Sequence, residues 1–175
     1  MARLINTTAL TVDGLTDVGD WYVAEGGHDR AGLDQFAGIA GMLLGRKTYE
    51  GLAGYWPQQA GPWADMLNSL PKFVASRTRR GALDWNATVV EGDAVDGVAR
   101  LKDELEDDLV LSGCGELART LIAHGLVDEL RFWVHPAVGG GGTRPYGGDA
   151  ISMRLLDATA FDSGVTLLRY EPVRP

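Results

Sequence analysis

The sequence predicts an α/β fold whose mixed sheet ends in an antiparallel hairpin, and three observations carry that expectation. Short apolar runs end at glycine and pass at once into helix-like segments, as "GMLLG" does before Arg46 and "LVLS" before Gly113-Cys114-Gly115. Amphipathic stretches at helical spacing separate such runs. From residue 128 onward strand-like segments follow one another with no helix between them, which implies antiparallel pairing at one edge of the sheet. At 175 residues the chain fits one domain spanning 1–175.

The elements follow in order. "RLINTTALT" at 3–11 is a strand that turns at Val12-Asp13-Gly14. Residues 15–30 are loop-like, and a loop of that length in a compact domain is functional or mobile as a rule. A short helix is expected at 31–39, with Leu33, Phe36 and Ala37 or Ala40 on one face, then the strand at 41–45 and a helix from Arg46. A Gly/Pro/Trp-rich connection at 54–64 leads to a brief helical piece at 65–70 and to strands at 72–76 and 87–91. Val95, Val98, Leu101 and Leu105 mark an amphipathic helix over 94–106. "DLVLS" is the next strand, and the helix from Glu116 to His124 ends at Gly125 in the C′ position. "DELRFWVHPAV" precedes a glycine run, and "SMRLLDATAF" and "VTLLRYEPV" form a hairpin around Asp162-Ser163-Gly164.

Composition narrows the function. Apolar residues make up 45% of the chain and charged residues 23%, the profile of an ordinary globular protein. A net charge of −8 opposes a general role on nucleic acid or an anionic membrane, and the one basic cluster, Arg77-Thr78-Arg79-Arg80, suits a phosphate-bearing cofactor better than a polymer. Cys114 is the sole cysteine and His28, His124 and His135 lack ligand spacing, so no metal site is expected. No signal peptide or membrane-span pattern is present, and the expected location is cytoplasmic.

A strand that ends in glycine and feeds a helix leaves backbone N–H groups converging on one spot, which is a site for an anion. The chain offers this arrangement twice, at Gly45-Arg46-Lys47-Thr48 and at Gly113-Cys114-Gly115-Glu116. Gly113, Gly115 and Ala118 also match the dinucleotide pattern G-x-G-x-x-G/A, but only 57 residues follow Ala118, too few for a standard doubly wound nucleotide domain. Glycines at tight strand-to-helix turns also serve packing alone.

"TALTVDG", "LLGRKTYEGL", "FVASRT" and "LVLSGCGELARTLIAHGLVDELRFWVHPAVGGGGTRPY", in that order and spacing, resemble the dihydrofolate reductase superfamily. The segment from Gly125 through His135-Pro136 to the glycine loop is similar to the riboflavin-biosynthesis reductase branch, which resembles the reductase domain of the bifunctional deaminase-reductase. The resemblance implies a mixed, mainly parallel eight-stranded sheet with flanking helices, NADPH as cofactor, and hydride transfer to a C=N or C=O of a small heterocycle such as 5-amino-6-(5-phosphoribosylamino)uracil. It also implies a homodimer.

By that resemblance, Gly45, Arg46, Lys47 and Thr48 meet the pyrophosphate and adenosine side, Ser76 and Arg77 the 2′-phosphate, and Gly113, Cys114, Gly115, Glu116 and Leu117 form a second cradle. Ala9 and Thr11 correspond to the strand that holds the nicotinamide carboxamide, and Gly14 opens the loop over it. Glu116 has only its backbone N–H to offer a phosphate, and Cys114 reads as a small buried residue without a partner base. Trp21, His28 and Phe36 are substrate-side candidates, and Trp21, Trp56, Trp63 and Tyr146 are candidates to wall a flat ring, or else loop anchors.

The folate-reducing branch places a carboxylate near the start of the first helix, where this chain has Gly32 with Asp29 and Asp34 nearby. The riboflavin branch often carries Glu just before the glycine pair, where this chain has Ser112. Asp29 and Ser112 are accordingly the catalytic candidates. A pterin reductase and a catalytically idle NADP-binding or ligand-sensing domain stay open as alternatives.

Overall fold

The computed structural model describes residues 1–148 and 150–173. Its sheet has nine strands in the order β4-β5-β3-β2-β6-β1-β7-β9-β8. In chain order they are β1 (Leu4–Thr11), β2 (Gly41–Gly45), β3 (Lys72–Ala75), β4 (Ala82–Leu83), β5 (Ala87–Val89), β6 (Leu109–Ser112), β7 (Glu129–His135), β8 (Met153–Ala160) and β9 (Thr166–Pro172). The run from β5 through β3, β2, β6 and β1 to β7 is parallel, while β4 at one edge and β9 and β8 at the other are antiparallel.

The eight expected strands are all present. The ninth, β4, is a two-residue element whose pairing with β5 follows Gly81 at φ +69°, too short to leave a pattern in sequence. Central strands read as unbroken apolar runs because both faces are covered. In β6, Leu109 and Leu111 point into one core with Leu4, Leu43, Leu121 and Leu130, and Val110 points into the other with Met42, Leu44, Tyr49, Leu67 and Val74.

Helices α4 (Ala94–Glu104) and α5 (Glu116–Ala123) contribute Val98, Ala118, Leu121 and Ile122 to the first core. The second core takes Tyr49 from α2 (Arg46–Tyr55) and Leu67 from α3 (Pro62–Ser69), and Phe36 just after α1 (Gly27–Asp34). Asp93 caps α4 by accepting from the Val95 N–H at 2.9 Å. Gly125, at φ +67°, ends α5 with its own N–H on the Ile122 carbonyl and that of Leu126 on the Leu121 carbonyl.

Two helix boundaries move from the expected ones. The first helix, expected at 31–39, lies at 27–34: Gly26 at φ +136° starts it, and its buried stripe is His28 and Gly32. Phe36 still reaches the core, from a turn after the helix, so the apolar spacing was right about burial and wrong about helical continuation. The third helix starts at Pro62 rather than 65, because proline needs no partner for its missing N–H in a first turn.

Candidate functional site

In an open α/β sheet, ligands bind beyond the C-terminal ends of parallel strands, where connections diverge to opposite faces. Here β6 lies between β1 and β2, and the turns after β2 and β6 sit side by side. Gly45 precedes α2 and Gly115 precedes α5, and neither helix has a capping side chain, so the first-turn amides of both are free for an outside acceptor.

The turns touch. Gly113 has φ +99°, and a β-carbon there would come within 2.9 Å of the Thr48 hydroxyl, while one on Gly45 would meet Leu117 at 3.8 Å. Each glycine turn is therefore packed on a residue of the other helix's first turn. This is a shape a phosphate chain fits and a side chain would fill. Glu116 does not cap α5; it reaches Arg77 at 3.4 Å with both side chains largely exposed.

That ion pair bridges the α5 turn to the segment after β3. Ser76 accepts from the N–H groups of Thr78 and Arg79, which curls the basic stretch back, and Arg79 pairs with Glu50 of α2 at 2.7 Å. Arg46 pairs with the same Glu50 at 3.1 Å, whereas Lys47 is exposed. Arg77 is thus tied to the first residue of α5, and Arg46 and Arg79 to Glu50 of α2.

On the other side, β6 stops at Ser112, opposite Thr7, while β1 runs on to Thr11 with β7 alone beside it. The backbone of β1 around Ala9 is consequently unpaired on the edge that faces the glycine turn. Thr11 differs: its N–H bonds the Leu15 carbonyl, its carbonyl accepts from Gly14, and its hydroxyl donates to Asp13 at 2.6 Å. Asp13 also accepts from the N–H groups of Gly139 and Gly140, and these three bonds hold its carboxyl down to about 2.

His28 and His135 pin the long loop between β1 and α1. The Val23 N–H donates to His135 Nδ1 at 3.1 Å, and the Val23 carbonyl lies 2.9 Å from His28 Nε2, whose other ring nitrogen lies 2.8 Å from the Ser163 hydroxyl. His135 is 1% exposed, and burial first, then the nearby His28, lowers its pKa to about 4. Trp21 packs edge-on against His135 and donates to the Asp17 carbonyl. His28 and Trp21 have the geometry of loop anchors.

Gly32, at the position of the folate branch's carboxylate, faces an indole: a β-carbon there would meet Trp63 at 3.0 Å. Trp63 also packs on Phe36 and donates to Asp29 at 2.6 Å, so Asp29 is held by the protein within this group. Ser112 shares the sheet face of Thr7 and Leu44, and Thr7 accepts from Trp133 Nε1 at 3.0 Å and donates to Gln35. The four aromatic candidates do not form one wall. Trp63 joins Phe36, Trp21 joins His135, Trp56 packs on the second core and Tyr146 on the first.

Asn6, which no sequence pattern singles out, is one of four polar residues on β1, with Thr7, Thr8 and Thr11. Asn6 is fully buried, donates from Nδ2 to the carbonyls of Leu111 and Gly113, both at 2.9 Å, and accepts from the Tyr146 hydroxyl at 2.7 Å. Burial raises the Cys114 thiol, in keeping with a packed and unreactive residue. Beside it a recess of about 390 Å³ is lined by Gly115, Glu116, Arg119, Thr143, Arg144 and Tyr146. A recess of equal volume at the opposite end of the sheet, near Arg3, Asp108 and Arg131, has no helix N-terminus beside it.

Among the described residues no helix is long and apolar enough to cross a membrane. The uncharacterized protein YyaP of Bacillus subtilis (strain 168) is 30% identical over 180 residues, covering 96% of this chain and 94% of that protein. A Shewanella sp. PV-4 protein, whose riboflavin-biosynthesis assignment is itself provisional, superposes with a TM-score of 0.74 at 22% identity, covering 99% of this chain and all of that one.

A Thermotoga maritima diaminohydroxyphosphoribosylaminopyrimidine deaminase/5-amino-6-(5-phosphoribosylamino)uracil reductase superposes at 0.69 with 12% identity. There the match takes in 98% of this chain but 57% of that longer one. Both likenesses show that the fold is shared. Residues 2–167 match the RibD C-terminal domain, and the chain belongs to that family.

Proposed function

We propose that the protein is an NADPH-dependent reductase acting on a C=N or C=O of a small heterocyclic substrate related to 5-amino-6-(5-phosphoribosylamino)uracil. The observation that carries this reading is the contact of the two glycine turns, Gly113 on Thr48 and Gly45 on Leu117, beneath two uncapped helix N-termini. Two converging sets of amides suit the two charges of a pyrophosphate. The Ser76–Arg80 curl supports a 2′-phosphate contact at Arg77, where guanidinium geometry favours paired bonds to phosphate.

A bound nicotinamide supplies the hydride. The rest of the rate is positioning and exclusion of water, for which the chain is equipped. The open β1 edge at Ala9 can hold a carboxamide by backbone bonds, a role Thr11 cannot share because its main chain is committed to the turn. The loop pinned at Val23 covers the end of the sheet. Ser112 at the end of β6 and Asp29 on α1 are the polar groups assigned to the substrate in this reading, and Ser112 stands where a carboxylate would otherwise be. The packing of Trp63 on Gly32 leaves no room for the folate-branch acid and weighs against a pterin substrate.

Fluorescence titration with NADPH and NADH is the first test, expected to show binding with NADPH preferred. Failure of both to bind below about millimolar, an affinity worth only ~4 kcal/mol, ends the reading. Stopped-flow oxidation of bound NADPH by the ribosylaminopyrimidine, by dihydrofolate and by simple imines then identifies the substrate class. Tight binding with no turnover across that panel would make the protein a sensor rather than a reductase.

The same reading includes a homodimer, supported by the outer hairpin. All eight residues of β8 are exposed, with Leu155 at 53% and Leu156 at 41%. Leu155 pairs with Tyr170 and Ala158 with Leu168, so they extend the apolar face of the first core beyond any covering helix.

A further inference from the structure

Asn6 is fully buried on β1, outside the glycine turns, yet its side chain makes its three hydrogen bonds at the end of β6 and around the turn that follows it. Tyr146 comes to the same turn from the loop after β7, at φ +64°, and its own N–H donates to the Cys114 carbonyl at 2.6 Å. The two consecutive carbonyls of the turn, Gly113 and Cys114, are thereby fastened, one by Asn6 and the other by Tyr146.

A trans peptide is planar and its N–H points opposite to its C=O. Neither of the two peptides of this turn is cis. Binding the Gly113 carbonyl to Asn6 therefore turns the Cys114 N–H away from Asn6, and binding the Cys114 carbonyl to Tyr146 turns the Gly115 N–H away from Tyr146. Without these partners the Gly113 carbonyl is free to rotate, and glycine at φ +99° resists rotation least of all residues. A flipped peptide would put a carbonyl oxygen where an anion needs a donor.

The geometry points to Asn6 and Tyr146 as the positioning pair that aims the amides of Cys114 and Gly115 at the cofactor's pyrophosphate, a role that rests on the NADPH reading above. Neither residue touches the phosphate; both act through the peptide planes they hold. Tyr146 also couples the turn to the nicotinamide-side loop. Its neighbour Thr143 accepts at its carbonyl from the Thr16 N–H at 2.9 Å, and Arg144 donates to the Asp13 carbonyl at 2.7 Å.

The test uses the full chain and three ligands measured by calorimetry: NADPH, 2′-phosphoadenosine diphosphoribose, which keeps the pyrophosphate without nicotinamide, and 2′-AMP, which lacks the pyrophosphate. Tyr146→Phe deletes the hydroxyl that donates to Asn6 Oδ1, which frees the Asn6 amide to turn away from the Gly113 carbonyl, and keeps both the N–H on the Cys114 carbonyl and the ring that packs edge-on against Phe132. It is expected to weaken the first two ligands equally, by about five-fold, the worth of one hydrogen bond, and to leave 2′-AMP unchanged. Asn6→Asp, which replaces two donors with carboxylate oxygen against the Gly113 carbonyl, is expected to show the same ranking with a larger loss. If it does not fold, Tyr146→Phe alone decides. Equal weakening of all three ligands, or of none, overturns the assignment while the reductase reading stands. Absence of NADPH binding to the unaltered protein overturns both.

Discussion

At the scale of single residues, the cradle depends on two positions with opposite demands. Gly113 must be glycine, because its φ of +99° and the Thr48 hydroxyl beneath it exclude a side chain. Gly113→Ala is expected to cost about 1–3 kcal/mol in stability and to abolish NADPH binding, read by thermal melts with and without cofactor. A variant with unchanged cofactor affinity would remove this turn from the site. Arg77 has the reverse character, being 90% exposed at its side chain and, among the described residues, ion-paired with Glu116 alone at 3.4 Å. Such a pair adds little to stability. Arg77→Ala should therefore melt like the parent and lose affinity for NADPH at least ten-fold more than for NADH, the cost of one charge-assisted contact. Equal losses for the two cofactors would reassign Arg77 to the surface.

At the scale of elements, the loop after β1 and the hairpin after β7 each carry a measurable consequence. Val23 is held by His135 in its neutral form, and folding lowers that imidazole from 6.5 to about 4. The unfolded chain takes up the proton first, so this contribution is whole above pH 6.5 and declines as pH falls toward 4. Melting temperature should drop between pH 7 and pH 4.5, and His135→Asn should flatten that part of the curve. An unchanged slope would mean that the loop is not held through His135. Asp13, held down to about 2, adds a further loss of stability between pH 3.8 and 2, with the same sign. For the hairpin, Leu155→Glu places a charge in the exposed apolar face of β8. Light scattering is expected to find a dimer in the parent and a monomer in the variant, and a monomeric parent would leave β8 without the partner proposed for it.

At the scale of the whole molecule, residues far apart in sequence converge on one end of the sheet because β6 inserts between β1 and β2. That insertion sets Gly113 on Thr48, and it leaves β1 open at Ala9. Much of this was legible beforehand. The eight longer strands, the two glycine turns, the C′ glycine of α5 and the final hairpin all leave local marks: apolar runs of strand length, glycine at the turn, helical spacing after it. The first helix was misplaced by about four residues because Phe36 satisfies the apolar period from a turn. Asn6 was invisible, since an asparagine in a strand carries no sign of which carbonyls it meets.

Local chemistry by itself determined the fold class and the order of elements, for strand, turn and helix signals act within a few residues and survive in the pattern of the chain; the family came from the resemblance of the ordered motifs taken together. Only the tertiary structure decided that the two turns abut, that Gly32 lies under Trp63, that His28 and His135 clasp Val23, and that Asn6 and Tyr146 hold the second turn. Those are contacts between residues up to 140 positions apart. Their existence depends on where the sheet brings each strand end, and no local pattern encodes that placement.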